Sequence, residues 1–321
     1  MVKRFGGIIV TVAALWPGFS CALDLSAYQR PDGAITVHPQ DDHVDPYFVM
    51  KALWVARQFG DPAPVESKAW IGWLLPRQAA DGSFARYCEQ DKVWQVCDEP
   101  DADDSMLAMW IELLHETAPR RMPASWAASA ERAEHALALL RDPQSGVYRV
   151  SLKFNDALLM DNVEVYAALR RIGELQSKAG DHAGARRHLA QAQALRLAIT
   201  IVFHPHGGDL LRWSSGDDSS TAFYPYGVAH LYPWLHQMNT EGFGAMASWQ
   251  TWLNRYGEDW LTRRSDSFPW GLVAFLAWRE KSYHEVTRWI DNAAALRGGS
   301  NWNVLEEAVL QGLARARLEH R

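Results

Sequence analysis

Cysteine is scarce in this chain, with three residues in 321, and no two of them form a C-x-x-C pair. No G-x-S-x-G, Walker sequence or dinucleotide fingerprint occurs either, so nucleophilic-serine, nucleotide and redox chemistry all lack their usual sequence support. An excess of positive charge is also missing. The 32 basic residues are outnumbered by 38 acidic ones, for a net charge of -6, and the two signs are interspersed. Without a basic stripe, nucleic acid and anionic lipid are not expected partners. No Pro/Gly/Ser-rich linker or low-complexity stretch divides the chain, which leaves one domain as the expected organisation. The apolar run near the N-terminus falls short of the roughly 20 residues that a membrane-anchoring helix needs, and no later stretch could span a bilayer.

The N-terminus is the exception to that polarity. Lys3 and Arg4 precede an apolar stretch from Ile8 to Trp16, and Ser20-Cys21-Ala22 follows. This is the order of a secretory signal peptide, with cleavage expected after Ala22 and the mature chain beginning at Leu23. A lipoprotein anchored through Cys21 is the weaker alternative, because Gly18-Phe19-Ser20 lacks the usual aliphatic residue. The expected compartment is therefore the periplasm or the exterior, with no stable membrane insertion once the leader has gone. Cleavage leaves Cys88 and Cys97 flanking the polar segment Glu89 to Val96. In an oxidising compartment a disulfide is the natural reading, and two buried free thiols are the alternative. Such a clip contributes about 2–3 kcal/mol, most of it local.

Helical patterns of two kinds alternate along the rest of the chain. One kind is apolar almost all round, as in Tyr47 to Val55 and Met106 to Leu114, and needs burial on nearly every side. The other is charged and amphipathic, as in Ser129 to Arg141 and Ala183 to Leu197. Buried-type helices begin near Asp45, Asp103, Asp161, Tyr224, Phe268 and Asn303. Charged helices fall between them, around Glu66, Ala130, Arg186, Ser248 and Glu285. Six inner helices alternating with outer ones predict an all-α, (α/α)6 toroid over residues 23–321, with eleven helices and one outer helix absent or irregular. Glycine turns lead into short aromatic or β-branched stretches at Asp81-Gly82-Ser83-Phe84, Ser145-Gly146-Val147-Tyr148 and Gly207-Gly208-Asp209-Leu210, which predicts hairpin-like connections. Pro46, Pro225 and Pro269 are each expected in the first turn of an inner helix.

In such a ring the inner helices begin at one end, so residues at their starts share a central cavity. Those starts are acidic and aromatic: Asp41, Asp42, His43, Asp45 and Tyr47; Asp101, Asp103 and Asp104; Asp161, Asn162 and Glu164; Asp217, Asp218, Tyr224 and Tyr226; Asp266, Phe268 and Trp270; then Asn301, Trp302 and Asn303. A single Asp at such a place is explained as an N-cap, and Asp45 before Pro46 fits that role well. Three carboxylates within Asp101 to Asp104 exceed what capping needs, and like charges that close raise one another's proton affinity. A carboxyl held partly protonated is what general acid catalysis requires. Trp94, Tyr224, Tyr226, Trp270 and Trp302 could offer flat faces to sugar rings, whereas Trp54, Trp110 and Trp278 sit in helix interiors and fit a core. The His204-Pro205-His206 run with Asp209 lacks a further ligand, so neither metal nor cofactor is expected.

On these residues the chain resembles the six-hairpin glycosidase superfamily, and distantly glycoside hydrolase family 8, a family of exported, inverting enzymes acting on β-linked polysaccharides. The family's Asp-Ala/Gly-Asp, which holds the sugar at the cleavage point, is matched by Asp101-Ala102-Asp103. Its catalytic base is loosely matched by Asp266 ahead of Phe268-Pro269-Trp270. Its general acid is a Glu at an earlier inner helix start, where this sequence has Asp42 and Asp45. A second resemblance is to class II terpene cyclases. Asp101-Ala102-Asp103-Asp104 is similar to their DxDD signature, whose middle Asp protonates an alkene, and Gln78 to Phe84 is similar to their Q…DGxW repeats.

These residues and resemblances lead to the expectation of an exported glycoside hydrolase acting on an exopolysaccharide. Asp45 or Asp42 is the expected acid and Asp266 or Asp218 the expected base. Asp103 and Asp104 would hold the distorted sugar, and an acid-to-base separation of roughly 6.5–9.5 Å would imply inversion. The remaining candidate contacts are Asp101, His43, Tyr47, Asp161, Asn162, Tyr224, Tyr226, Trp270 and Trp302. A polysaccharide lyase using Tyr47 and His43, a cyclase, and a sugar-binding protein without turnover are the alternatives.

Overall fold

The computed structural model describes residues 23–100, 102–204, 211–216, 219–238 and 248–319. The expected leader, Asp101, Asp217, Asp218, and residues 205–210 of the glycine turn and histidine run lie outside them. The apolar-all-round helices form an inner ring: α1 (Pro46–Gln58), α3 (Asp103–Thr117), α5 (Leu159–Ala179), α7 (Tyr232–Leu235), α9 (Gly271–Arg279) and α11 (Val304–Glu319). Each packs against the next, and α11 closes the ring on α1. The charged helices form the outer layer: α2 (Pro64–Leu74), α4 (Ala124–Leu140), α6 (His182–Val202), α8 (Trp249–Thr262) and α10 (Tyr283–Ala294). The chain is an all-α toroid. None of its described helices is long and apolar enough to cross a membrane.

The twelfth position of the ring is taken by irregular chain. Leu23, Leu25, Tyr28 and Ile35 are buried, and Asp24 exchanges two hydrogen bonds with Gln311 of α11, both 2.8 Å. Further along, the Val304 amide donates to the Val37 carbonyl at 2.9 Å. These ties lay the N-terminal segment along α11, where an outer helix would otherwise cover it.

Local sequence explains the helix starts. Asp45 is in extended conformation and accepts from the Tyr47 amide at 3.0 Å, with Pro46 at the first helical position; the first proline expectation holds there. The fourth inner element differs. Phe223–Gly227 is a single wide π turn containing Pro225, and a short helical stretch then leads into α7. Pro269 also falls short of its helix, because Trp270 takes a left-handed conformation (φ 54°) and α9 starts only at Gly271. The turns at Gly82 (φ 93°) and Gly146 (φ 81°) require glycine as expected. At Gly82 an added Cβ would also come within 2.3 Å of the Arg132 carbonyl oxygen.

A small antiparallel sheet sits beside the first inner helix. Its order is β1 (His43–Val44), β2 (Arg86–Gln90) and β3 (Val93–Asp98), with His43 opposite Cys88. Cys88 and Cys97 are joined as a disulfide.

Candidate functional site

The starts of all six inner elements meet at one end of the ring and enclose a cavity of about 370 Å³. The lining runs from Tyr47, Phe48 and Lys51 on α1, through Ala102 before α3, to Leu158, Met160 and Asp161 at α5. It continues through Tyr224, Tyr232, Asp266, Phe268, Trp270 and Leu272 to Leu305 and Glu306 on α11. The volume lies within the ~300–1,000 Å³ of small-molecule sites.

At the α1–α5 side stands a buried ionic knot. Lys51 is 2.8 Å from a Glu164 carboxylate oxygen, and it donates to the Tyr47 and Tyr232 hydroxyls at 3.0 Å each. Tyr47 in turn donates to the other Glu164 oxygen at 2.8 Å. Burial opposes the Lys51 charge, but Glu164 and Tyr232 outweigh it and hold the ammonium firmly protonated. Burial, then Glu164, raises the Tyr47 phenol well above its ordinary value. The knot is therefore neutral overall, with one cation and one anion, and it fixes the two phenols.

On the α9–α11 side lies a carboxyl of a different kind. Glu306 is fully buried at the cavity wall and takes the Gly271 amide proton between its two oxygens, at 2.8 and 3.1 Å. Burial pushes it up to about 8, an effect only partly offset by the Gly271 hydrogen bond and by Lys51, so it carries a proton at neutral pH. The close approach needs a glycine, since a Cβ on residue 271 would stand 2.5 Å from a Glu306 oxygen.

Asp266 reaches the same cavity half-exposed. One oxygen accepts from the Phe268 amide at 2.9 Å and the other from the Trp270 indole at 3.1 Å. Trp270 carries Tyr224 tilted over it at 4.8 Å and Phe268 edge-on at 5.2 Å. A bulky residue held at φ 54° is uncommon and costs about 1–3 kcal/mol. Here the indole hydrogen bond and the packed rings over-determine it, leaving Tyr224, 47% exposed, as a flat outward face.

Asp161 is buried and lines the cavity floor, with Asp104 behind it. Asp104 is fully buried, and burial followed by the Asp161 charge raises it well above the ordinary carboxyl range. The Ser105 hydroxyl donates to the Asp161 carbonyl at 3.2 Å, which ties α3 to α5 under the floor.

The candidates from the sequence divide clearly. Tyr47, Asp161, Tyr224, Asp266 and Trp270 share the cavity. Asp45 is instead the cap of α1 and an ion-pair partner of Arg86, 2.8 Å from its Nε, as the capping argument would have it. Asp42 is exposed on the bend before β1 and meets β2 through its backbone, accepting the Glu89 amide proton at 2.7 Å. Asp103 is half-buried off the cavity. Burial, then Asp81 and Glu99, pushes it up to about 6, while Ala102 faces the cavity in its place.

Asn162 is fully buried and clamps the hairpin before α5: it accepts from the Tyr148 amide at 2.7 Å and donates to the Tyr148 carbonyl at 2.8 Å. Trp302 is wholly buried and donates to Glu307 at 3.0 Å, so it belongs to the core. Tyr226 packs edge-on against His230 at 4.4 Å, outside the lining. Trp94 donates to Asp32 at 2.8 Å and packs on Trp73. His43 lies in β1 with both disulfide sulfurs close by. These three come within 4.8 Å of one another, the spacing of metal ligands, but the sulfurs are bonded to each other.

Lys51, Tyr232 and Glu306 complete the site without a motif to announce them. A lone lysine inside an otherwise apolar inner helix, and a Glu306-Glu307 pair opening the last one, are the signals the sequence carries for two of them.

A second cleft, about 310 Å³, opens at the opposite pole, lined by Trp54, Arg57, Glu112, Glu116, Arg170 and Arg171 among others. Its acids are taken up in arginine pairs, Glu112 with Arg57 at 3.3 Å and Glu116 with Arg171 at 2.8 Å. Both carboxyls are occupied by a guanidinium, and the cavity at the helix starts is the better reaction site.

No protein-family description matches the chain, and no curated protein does. Among solved structures, the fold is similar to a rhamnosidase from Klebsiella oxytoca with rhamnose bound, at 13% identity and a TM-score of 0.57. That match covers 90% of this chain and 60% of the rhamnosidase, so the chain spans less than two thirds of that enzyme's length. It is also similar to a novel alpha-amylase from Clostridium perfringens, at 10% identity and a TM-score of 0.57, covering 91% of this chain and 95% of the other. At these identities the likeness is one of fold. The resemblances to glycoside hydrolase family 8 and to terpene cyclases gain no support from these comparisons.

Proposed function

We propose that this chain is an exported glycoside hydrolase that cleaves a polysaccharide or oligosaccharide by paired-carboxyl acid–base chemistry in the cavity at the inner helix starts. One observation carries the reading: a buried carboxyl that holds its proton at neutral pH, Glu306, and an accessible carboxylate, Asp266, share one aromatic-walled cavity. Two carboxyls in unlike environments are what glycoside cleavage requires. Glu306 gives its proton to the glycosidic oxygen as the bond to the anomeric carbon breaks. Asp266 takes a proton from the water whose oxygen forms the new bond to that carbon. The Tyr224 and Trp270 rings supply a stacking surface for a sugar face, and Asp161 accepts from its hydroxyls. The fold's likeness to two carbohydrate-active enzymes supports this reading at the level of reaction class.

The other readings lose their proton carriers. A lyase base should have a lowered proton affinity, but the Tyr47 phenol is shifted upward, and His43 lies in the sheet rather than the cavity lining. A cyclase would protonate through Asp103, which is off the cavity.

The test is to incubate the purified chain with a panel of neutral and charged bacterial polysaccharides and measure reducing ends. The expected result is release from at least one of them, with Glu306→Gln and Asp266→Asn each lowering kcat about 10²–10⁴-fold. Full activity in either variant, or a folded protein inert on every glycan, would overturn the assignment.

A further inference from the structure

The amide nitrogen of Leu23 lies 2.5 Å from a carboxylate oxygen of Asp61. Leu23 is 3% exposed and Asp61 8%. Asp61 stands between α1 and α2, and its other oxygen accepts from the Ala63 amide at 2.9 Å. The oxygen that meets Leu23 also receives Arg315 of α11 at 3.2 Å. We propose that the Ala22–Leu23 bond is a processing site and that the ammonium group its cleavage creates on Leu23 docks into the buried Asp61 carboxylate.

Two observations lead there. Small residues at Ser20 and Ala22 suit a leader peptidase. The residue that would then begin the chain places its nitrogen against a buried carboxylate and its side chain in the core. An uncleaved peptide nitrogen is neutral and offers Asp61 a single proton, whereas an ammonium there offers a charge and three donors.

The chemistry balances with water as co-reactant and a leader peptidase of the export pathway as catalyst. The Ala22 carbon–nitrogen bond breaks, the Ala22 carbonyl takes the hydroxyl, and the freed Leu23 amine takes up a proton. Because Leu23 is buried in the folded chain, cleavage acts on the unfolded chain during export, and the new terminus is sealed in as the ring closes. The irregular segment that replaces the twelfth helix is thereby pinned at its first residue.

The test starts from the full 321-residue chain expressed for export, with the recovered protein read by intact mass and N-terminal sequencing. The expected first residue is Leu23, and any other mature start would overturn the proposal. Thermal melts then compare that product with a version retaining Ala22 before Leu23, each with and without Asp61→Asn. At about pH 6.5 the added residue should lower Tm by ~2–4 °C. Asp61→Asn should lower Tm more in the Leu23-starting chain than in the extended one. An α-amino group titrates near about 7.7–8.0 when free, and the carboxylate raises its folded value, so the advantage of the Leu23 start is complete below that range and disappears as pH rises through the folded value. Arg315 is the other charged group on Asp61, and Asp24, held below its ordinary carboxyl value by its hydrogen bonds from Ser26, stays ionised over this interval. Equal Tm for the two starts, or an equal Asp61→Asn loss in both, would refute the docking; the comparison of starts stands alone if the Asp61 variant does not fold.

Discussion

Lys51 and Glu164 lie 2.8 Å apart inside the ring, where the lysine side chain is 7% exposed and the glutamate 2%. Removing one member leaves a buried charge without its counterpart. Lys51→Met or Glu164→Gln alone should cost about 3–5 kcal/mol, while the double substitution should cost clearly less than their sum. Urea denaturation of the four proteins reads this directly. Additive losses would mean that the two side chains do not act as a pair.

Glu306 gives the protein a pH signature of its own. Its folded value of about 8 stands above the ordinary 4.5. The stabilisation from keeping it protonated is therefore complete below about pH 4.5 and is lost progressively as pH rises toward 8. Melts of the wild type against Glu306→Gln across that interval should diverge in favour of the variant as pH rises. If Glu306 is the acid, kcat should fall on the alkaline side near pH 8. Parallel melts at every pH would remove the raised carboxyl from the account.

Asp45 and Asp266 should separate stability from chemistry. Asp45→Asn keeps a capping side chain but loses the ion pair to Arg86, so Tm should drop while kcat stays within about 3-fold. Asp103→Asn should likewise leave kcat nearly intact, because Asp103 is off the cavity. Asp266→Asn should do the reverse, lowering kcat about 10²–10⁴-fold while Tm falls only by the one hydrogen bond that the amide cannot accept, about 1 kcal/mol. A large loss of kcat in Asp103→Asn would favour the Asp-Ala-Asp motif as the reaction centre over the Glu306–Asp266 pair.

The disulfide clips a segment of nine residues' separation. Replacing both cysteines with serine should cost about 2–3 kcal/mol. The far-ultraviolet helical signal should be unchanged, since the clip lies within the three-stranded sheet. A loss of helix in the reduced or substituted protein would show that the sheet holds more of the ring than its packing implies.

The toroid was legible because its evidence is periodic. Inner helices such as Met106 to Leu114 are apolar on all sides and outer ones such as Ala183 to Leu197 on one, so burial is written into each segment independently. The convergence of helix starts followed from that topology, and it correctly gathered Tyr47, Asp161, Tyr224, Asp266 and Trp270. Which acid turns inward was not legible. Asp45 and Asp103 each begin an inner helix as Asp161 does, but Arg86 draws Asp45 to the sheet, and Ala102 rather than Asp103 meets the cavity. Such choices depend on partners 41 residues away, as for Arg86 and Asp45, and a spacing rule cannot see them. Glu306 was hidden for a similar reason: its proton affinity comes from the walls around it, not from its neighbours in the chain.

The indole hydrogen bond from Trp270 to Asp266 couples two parts of the cavity wall mechanically. The ring that would bear a ligand's flat face and the carboxylate beside it move as one body, anchored to a backbone conformation with little freedom to relax. A guest that presses on the indole therefore also sets the aim of the carboxylate, so recognition of shape and placement of charge at this wall are a single adjustment.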